Sequence, residues 1–332
     1  MTTLTSEIKQ QAPFIGLESY SESQADIFFG RDKEIHDLEM LIKLNTLTLL
    51  FGKSGTGKTS LLNAGVFPAL KQESFLPFRI TFDLRNNPDL ISQVKKVLQG
   101  KIDEYKFNTS TDLSTFTLWE YFHIEPLWQI VTPVLVFDQF EEMFTRAEKG
   151  SDFEAFWTEI SDLIENFIPL KLRDKFLNER ELIDYNYKAQ KVKIVFSFRE
   201  EFLPEFETKA AKIPSIKQSR FRLMPMNGIQ ALEVIEKTWQ DKIDDPEARS
   251  IVTYFTNETV DDNFEMIVVE PSLLSQVCTH LEKDRIKEGS DKISSEFLKK
   301  YPKQTLLSSI YYDALIEANA AIKPQENEAK SN

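Results

Sequence analysis

The chain has 332 residues, 41% of them hydrophobic, enough to bury a substantial core in one large domain or two smaller ones. Its 53 acidic residues outweigh 40 basic ones, and the net charge of -13 sets long-range repulsion against nucleic-acid phosphates and anionic membrane surfaces. The lone Cys278 excludes an internal disulfide and reads as a small core residue, while His36, His123 and His280 are scattered without metal-ligand spacing.

No stretch of about 18 apolar residues occurs, and the first residues lack the basic and apolar signals of secretion, so a cytoplasmic location without a membrane is expected. Residues 1–12 are polar and read as a disordered lead; residues 321–332 read as a disordered tail. Between them, apolar runs at 46–51, 78–82, 133–137, 192–198 and 221–224 read as strands. Helical periodicity covers 33–44, where Ile35, Leu38, Leu41 and Ile42 share a face, and the regions 153–168 and 229–239. The alternation predicts an α/β fold with a parallel sheet. No strand is predicted after about Pro225, so a helical domain over 225–320 is expected to follow a sheet domain over 13–224. The stretch 171–191 reads as a charged insertion or helix between the third and fourth strands.

Gly52, Lys53, Ser54, Gly55, Thr56, Gly57, Lys58 and Thr59 match the P-loop pattern in full, after an apolar strand and before a helix. Glycines let the backbone fold around an anion with N–H groups inward, and the helix starting near Lys58 adds the positive end of its dipole. Lys58 is the residue type that neutralises the β- and γ-phosphates, and Thr59 the type that offers a hydroxyl to Mg²⁺. Ser60, next on the same helix, is counted with the phosphate-binding residues.

A phosphate cradle also needs a carboxylate for the metal, and the run from Pro133 to Asp138 is an apolar strand ending in one. Asp138 is therefore the second metal-holding residue, expected to end a strand adjacent to the P-loop strand. Glu141 and Glu142 follow, and either could orient or deprotonate an attacking water, Glu141 being the first choice; an acidic run is otherwise a solvated helix start. Arg199 ends the strand 192–198 and is either a γ-phosphate sensor or one half of a surface ion pair.

With these pieces in place the chain resembles the STAND class of P-loop ATPases, in particular the group known as novel STAND NTPase 1. The resemblance is carried by Pro13-Phe14-Ile15-Gly16-Leu17, by Phe28-Phe29-Gly30-Arg31-Asp32-Lys33-Glu34, by the P-loop, and by the runs VLVFDQFEEMF, FSFREEF and RFRLMPM. Val269-Glu270-Pro271-Ser272-Leu273-Leu274 completes it. It implies a P-loop NTPase parallel-sheet core of the ASCE or AAA-like kind with a C-terminal helical lid domain. It further implies that Phe29, Gly30 and Arg31 contact base and ribose and that Pro271 belongs to the lid over the nucleotide. Read from the residues alone, Gly30 marks a tight turn before a helix and Pro271 a helix's first residue.

The function so implied is an ATP-binding, slowly hydrolysing switch. ADP holds core and lid closed, ATP opens them, and the opened form assembles into a homo-oligomer. Preference for ATP over GTP comes from the resemblance, as does a bacterial signalling or antiviral defence role. STAND ATPases join this core to an effector and a sensor, expected here on a longer chain or on separate chains. The same P-loop would serve an AAA-like remodelling ATPase with continuous turnover, or a nucleotide-stabilised scaffold without hydrolysis. A small-molecule kinase fits poorly, since no acceptor-pocket motif is evident.

Overall fold

The computed structural model describes residues 13–85, 89–109, 112–146, 151–173, 191–256 and 264–312. The expected disordered ends, 1–12 and 321–332, and most of the charged insertion at 171–191 lie outside the described residues.

Five parallel strands form the central sheet: β1 (Leu47–Gly52), β2 (Phe75–Ile80), β3 (Thr132–Phe137), β4 (Lys193–Arg199) and β5 (Arg220–Arg222), in the order β2-β3-β4-β1-β5. Every residue of β1 is buried, as a parallel strand covered on both faces requires. Its side chains alternate between the two faces: Leu49 and Phe51 enter one core, Leu50 the other. The first core adds the helices Leu90–Glu104, Leu118–Ile124 and Ser151–Glu165 and an aromatic cluster around Phe137, Phe140, Phe156, Trp157, Phe196 and Phe206. The second is closed by the helix Asp32–Leu44, through Leu38 and Ile42, and by the helix that follows the P-loop.

That helix runs over residues 58–72, with a π-helical turn at Leu61–Val66. The wider turn precedes Pro68, which has no N–H to give to an α-helical partner. From Met226 onward a separate apolar cluster is built by the helices Gly228–Trp239, Asp245–Thr253, Pro271–Glu288 and Ser295–Lys299. Phe14 joins this cluster from the other end of the described chain, its ring edge-on to Trp239 at 4.9 Å.

Three expectations are corrected. Asp138 does not follow a strand adjacent to β1, because β4 lies between β3 and β1. With five consecutive buried residues, β4 suits a central place with neighbours on both edges. The strand read at 78–82 begins earlier, at Phe75, and includes Pro77: among the described residues β2 is the outer strand, with one edge unpaired, which is where proline is tolerated in a sheet. Strands also occur beyond Pro225, as the antiparallel pair β6 (Met226–Asn227) and β7 (Val268–Val269), each too short to show alternation in sequence.

Candidate functional site

Because β1, β3 and β4 run the same way, Gly52, Asp138 and Arg199 emerge at one edge of the sheet, where ligands bind in open α/β folds. A cavity of about 350 Å³ opens there, within the range of small-molecule sites. Its floor is the P-loop from Ser54 to Ser60, and its inner wall Asp138, Gln139, Glu141 and Arg199.

Thr59 Oγ1 donates to Asp138 Oδ2 at 2.9 Å, so the two predicted metal-holding residues meet although an intervening strand separates β3 from β1. Hydroxyl and carboxylate oxygens are hard donors that suit magnesium. Among the described residues no group of three or more His, Cys, Asp or Glu is arranged to hold a metal. An ion at this pair would therefore take its remaining ligands from phosphate and water, which is how magnesium is commonly held.

Lys58 Nζ folds back onto the carbonyls of Gly52 and Lys53, at 2.9 and 3.0 Å. Burial lowers its pKa, while the carboxylates of Glu141 and Asp138 oppose the fall. Gly55 has φ +78°, a left-handed backbone that favours glycine, and an added Cβ would stand 2.6 Å from Ser272 Oγ. Ser272 N in turn donates to Gly55 O at 3.3 Å. The first turn of the helix Pro271–Glu288 thus sits directly on the P-loop, with Pro271 as its first residue and also in the cavity wall.

Arg199 Nε lies 3.2 Å from Glu141 Oε1, while Glu141 Oε2 is buried and has no hydrogen-bond partner among the described residues. Of the two carboxylates, Glu141 lines the cavity and Glu142 begins the helix Glu142–Arg146 outside its wall.

The N-terminal motif divides its work. Phe28 and Phe29 line the cavity, and Tyr20 faces Phe28 with ring centroids 5.3 Å apart. Burial pushes the Tyr20 phenol up to about 12. Tyr20 N donates to Ser60 Oγ at 3.1 Å, fastening the segment over the P-loop helix. Gly30 lies outside the wall: at φ +75° it packs against the helix Gly228–Trp239, where a Cβ would meet Gln230 O at 2.8 Å. Arg31 is 2% exposed and its guanidinium is engaged by Glu34 Oε1 (2.8 Å), Thr56 O (3.3 Å) and Met224 O (2.9 Å). It therefore ties the helix Asp32–Leu44 to the P-loop and to the exit of β5, and like Phe29 it also lines the cavity.

Sequence reasoning passed over Tyr20, Phe28, Met226, Val234, Ser272 and Ser275 as wall residues. It also passed over Arg79, whose Nε and a terminal nitrogen reach Asp138 Oδ2 at 3.0 and 2.9 Å. A charged residue inside the otherwise apolar run FLPFRI was the available signal.

Solved structures share this architecture at low identity. The Walker-type ATPase PABY2304 of Pyrococcus abyssi superposes with a TM-score of 0.54 at 12% identity, over 92% of this chain and 79% of that one. Aeropyrum pernix ORC2 in its ADP form gives 0.51 at 11%, over 82% and 67%. Aeropyrum pernix ORC1 in complex with DNA gives 0.51 at 12%, over 88% and 68%. At such identities the likeness is one of fold. No curated protein matches. The family model described as Novel STAND NTPase 1 matches residues 13–263, and the chain belongs to that family of P-loop NTPases.

Proposed function

We propose that the chain is an ATP-binding, slowly hydrolysing molecular switch whose nucleotide controls assembly. What supports this most is one contact: Ser272 on the P-loop at Gly55, which makes the C-terminal helices a wall of the phosphate site. A nucleotide in the cavity would touch both apolar clusters and so bias how they sit together.

In this reading Lys58 and the loop amides take the β- and γ-phosphates, and Thr59 and Asp138 hold Mg²⁺, which supplies positive charge at the phosphates. The aromatic end of the cavity, with Phe28, Phe29 and Tyr20, receives the base beside Pro271. Glu141 is the water-orienting base: Arg199 engages one of its oxygens and leaves the buried Oε2 to accept a proton. A γ-phosphate competes with Glu141 for Arg199, which makes that arginine the sensor of ATP against ADP. ADP corresponds to the closed form, ATP to the open one, and the open form builds a homo-oligomer that works with an effector or sensor on the same or another chain. Bacterial signalling or antiviral defence is the setting proposed from the family.

The test combines calorimetry with light scattering. Removing the Lys58 charge by Lys58→Ala is expected to cost about 3 kcal/mol of phosphate attraction, roughly a hundredfold in Kd, and to abolish any ATP-dependent growth in size. Glu141→Gln should bind ATP like the wild type and consume none. Identical size with ATP and ADP in wild type and Lys58→Ala defeats the switch. One structural neighbour is complexed with DNA; for this chain the net charge of -13 opposes that reading, and DNA-stimulated hydrolysis would favour it.

A further inference from the structure

Arg79 is the one charged residue of β2, and the strand's residues Leu76, Phe78 and Ile80 are all buried. A guanidinium in such a strand costs desolvation unless a partner compensates it. The partner is Asp138, whose side chain is 1% exposed against 34% for Arg79. Two nitrogens of Arg79 and the Thr59 hydroxyl all converge on the single oxygen Oδ2, at 3.0, 2.9 and 2.9 Å, while Oδ1 accepts the amide of Gln139 at 3.0 Å. Three donors on one oxygen leave it no lone pair for a cation.

Arg79 does not line the cavity. It comes to Asp138 from the outer strand, on the side away from β4. Its positive charge thus serves the carboxylate without being placed to touch phosphate.

We propose that Arg79 is a built-in counter-ion of Asp138, holding the carboxylate in place before metal uptake and yielding its oxygen as the divalent cation arrives, which rests on the reading that Asp138 and Thr59 hold that cation. Arg79 is then a positioning residue that sets how much magnesium the site needs. Two positive charges compete for one buried acid, so removing one strengthens the hold of the other. The partial exposure of Arg79 gives the displaced guanidinium access to water.

The experiment titrates Mg²⁺ into the full chain at saturating ADP by calorimetry, with melting curves in EDTA and in Mg²⁺, for wild type, Arg79→Gln and Arg79→Lys. Arg79→Gln is expected to melt lower in EDTA, to gain more from Mg²⁺, and to need about tenfold less Mg²⁺ for half-saturation. Arg79→Lys keeps the charge but loses the two-nitrogen grip, and is expected to need about threefold less. Equal magnesium requirements and equal Mg²⁺-induced melting shifts in Arg79→Gln and wild type overturn the proposal. Should Arg79→Gln fail to fold, the lysine variant decides alone, and a requirement unchanged from wild type overturns it. Wild type that takes up no ADP at any magnesium concentration defeats both this proposal and the functional reading. ADP uptake with a magnesium requirement blind to residue 79 defeats only this one.

Discussion

The C-terminal helices that wall the cavity enclose a buried ion pair, and Glu282→Ala should show how far their packing depends on it. Glu282 is 6% exposed. Its Oε2 accepts Trp239 Nε1 at 2.9 Å and Arg285 Nε at 2.8 Å, and its Oε1 accepts a terminal nitrogen of Arg285 at 2.8 Å. Arg285 is nearly as buried, and its remaining nitrogen donates to Ser290 O at 2.6 Å. Alanine at 282 would strand a guanidinium and an indole N–H away from water, a loss of about 3–5 kcal/mol by the usual cost of breaking a buried pair. With roughly 2–4 °C of Tm per kcal/mol for domains of this size, the melting point should fall by about 10 °C. Replacing both partners, Glu282→Met with Arg285→Leu, should recover most of the loss, because it is the orphaned charge that costs. Burial alone would raise the Glu282 carboxyl, but the hydrogen bonds from Arg285 and Trp239 outweigh it and hold the group below its ordinary 4.5. Its contribution is therefore present above about 4.5 and lost as pH falls through the depressed folded value. Urea denaturation of the three proteins at pH 7 and in acid checks this. A single variant losing under about 1 kcal/mol at pH 7, or a double variant worse than the single, refutes the reasoning.

Gly55→Ala forces a side chain into the left-handed region, at about 1–2 kcal/mol, and against Ser272 Oγ 2.6 Å away. Nucleotide affinity should drop about tenfold, and adding Ser272→Gly should restore part of it; calorimetry that finds no partial rescue contradicts the contact. His123 has Nδ1 2.6 Å from Trp119 O and Nε2 2.9 Å from Asn166 Oδ1, yet burial draws its pKa below 6.5 against both contacts. The folded state then binds fewer protons than the unfolded one, so stability should decline as pH falls from 6.5 toward the folded value and level off above. His123→Gln should flatten that slope in urea denaturation between pH 5.5 and 7.5, and an unchanged slope assigns it to another group.

What was legible in the sequence is what lies within a few residues of itself. The P-loop carries its own geometry, and the place of Asp138 in the cavity wall was legible because an apolar run ends in an acid at the carboxyl end of its strand. The N-terminal motif was harder. Arg31 closes on Met224 O and Gly30 on Gln230 O, both some 200 residues away in sequence, and no local pattern distinguishes those partners from a ligand. Strand order was illegible for the same reason, since β4 enters between β3 and β1 after both are made. Arg79 was visible as a polarity error in an apolar strand, and such errors point to a partner that only the fold supplies.

The cavity has no complete wall on either side taken alone. The sheet edge gives the P-loop, Asp138, Glu141 and Arg199; the C-terminal cluster gives Met226, Val234, Pro271, Ser272 and Leu274; and the segment from Phe14 to Tyr20 bridges them, its first ring against Trp239 and its last backbone amide on Ser60. A ligand that fills the space gains its contacts only while the two clusters are docked, so its binding free energy favours that arrangement over any in which they part. If a γ-phosphate draws Arg199 from Glu141, part of that free energy is taken back by loosening the inner wall. On the proposed function, the difference between diphosphate and triphosphate would then reside in one side chain, Arg199, and the contact between Gly55 and Ser272 is where the helices beyond would register it.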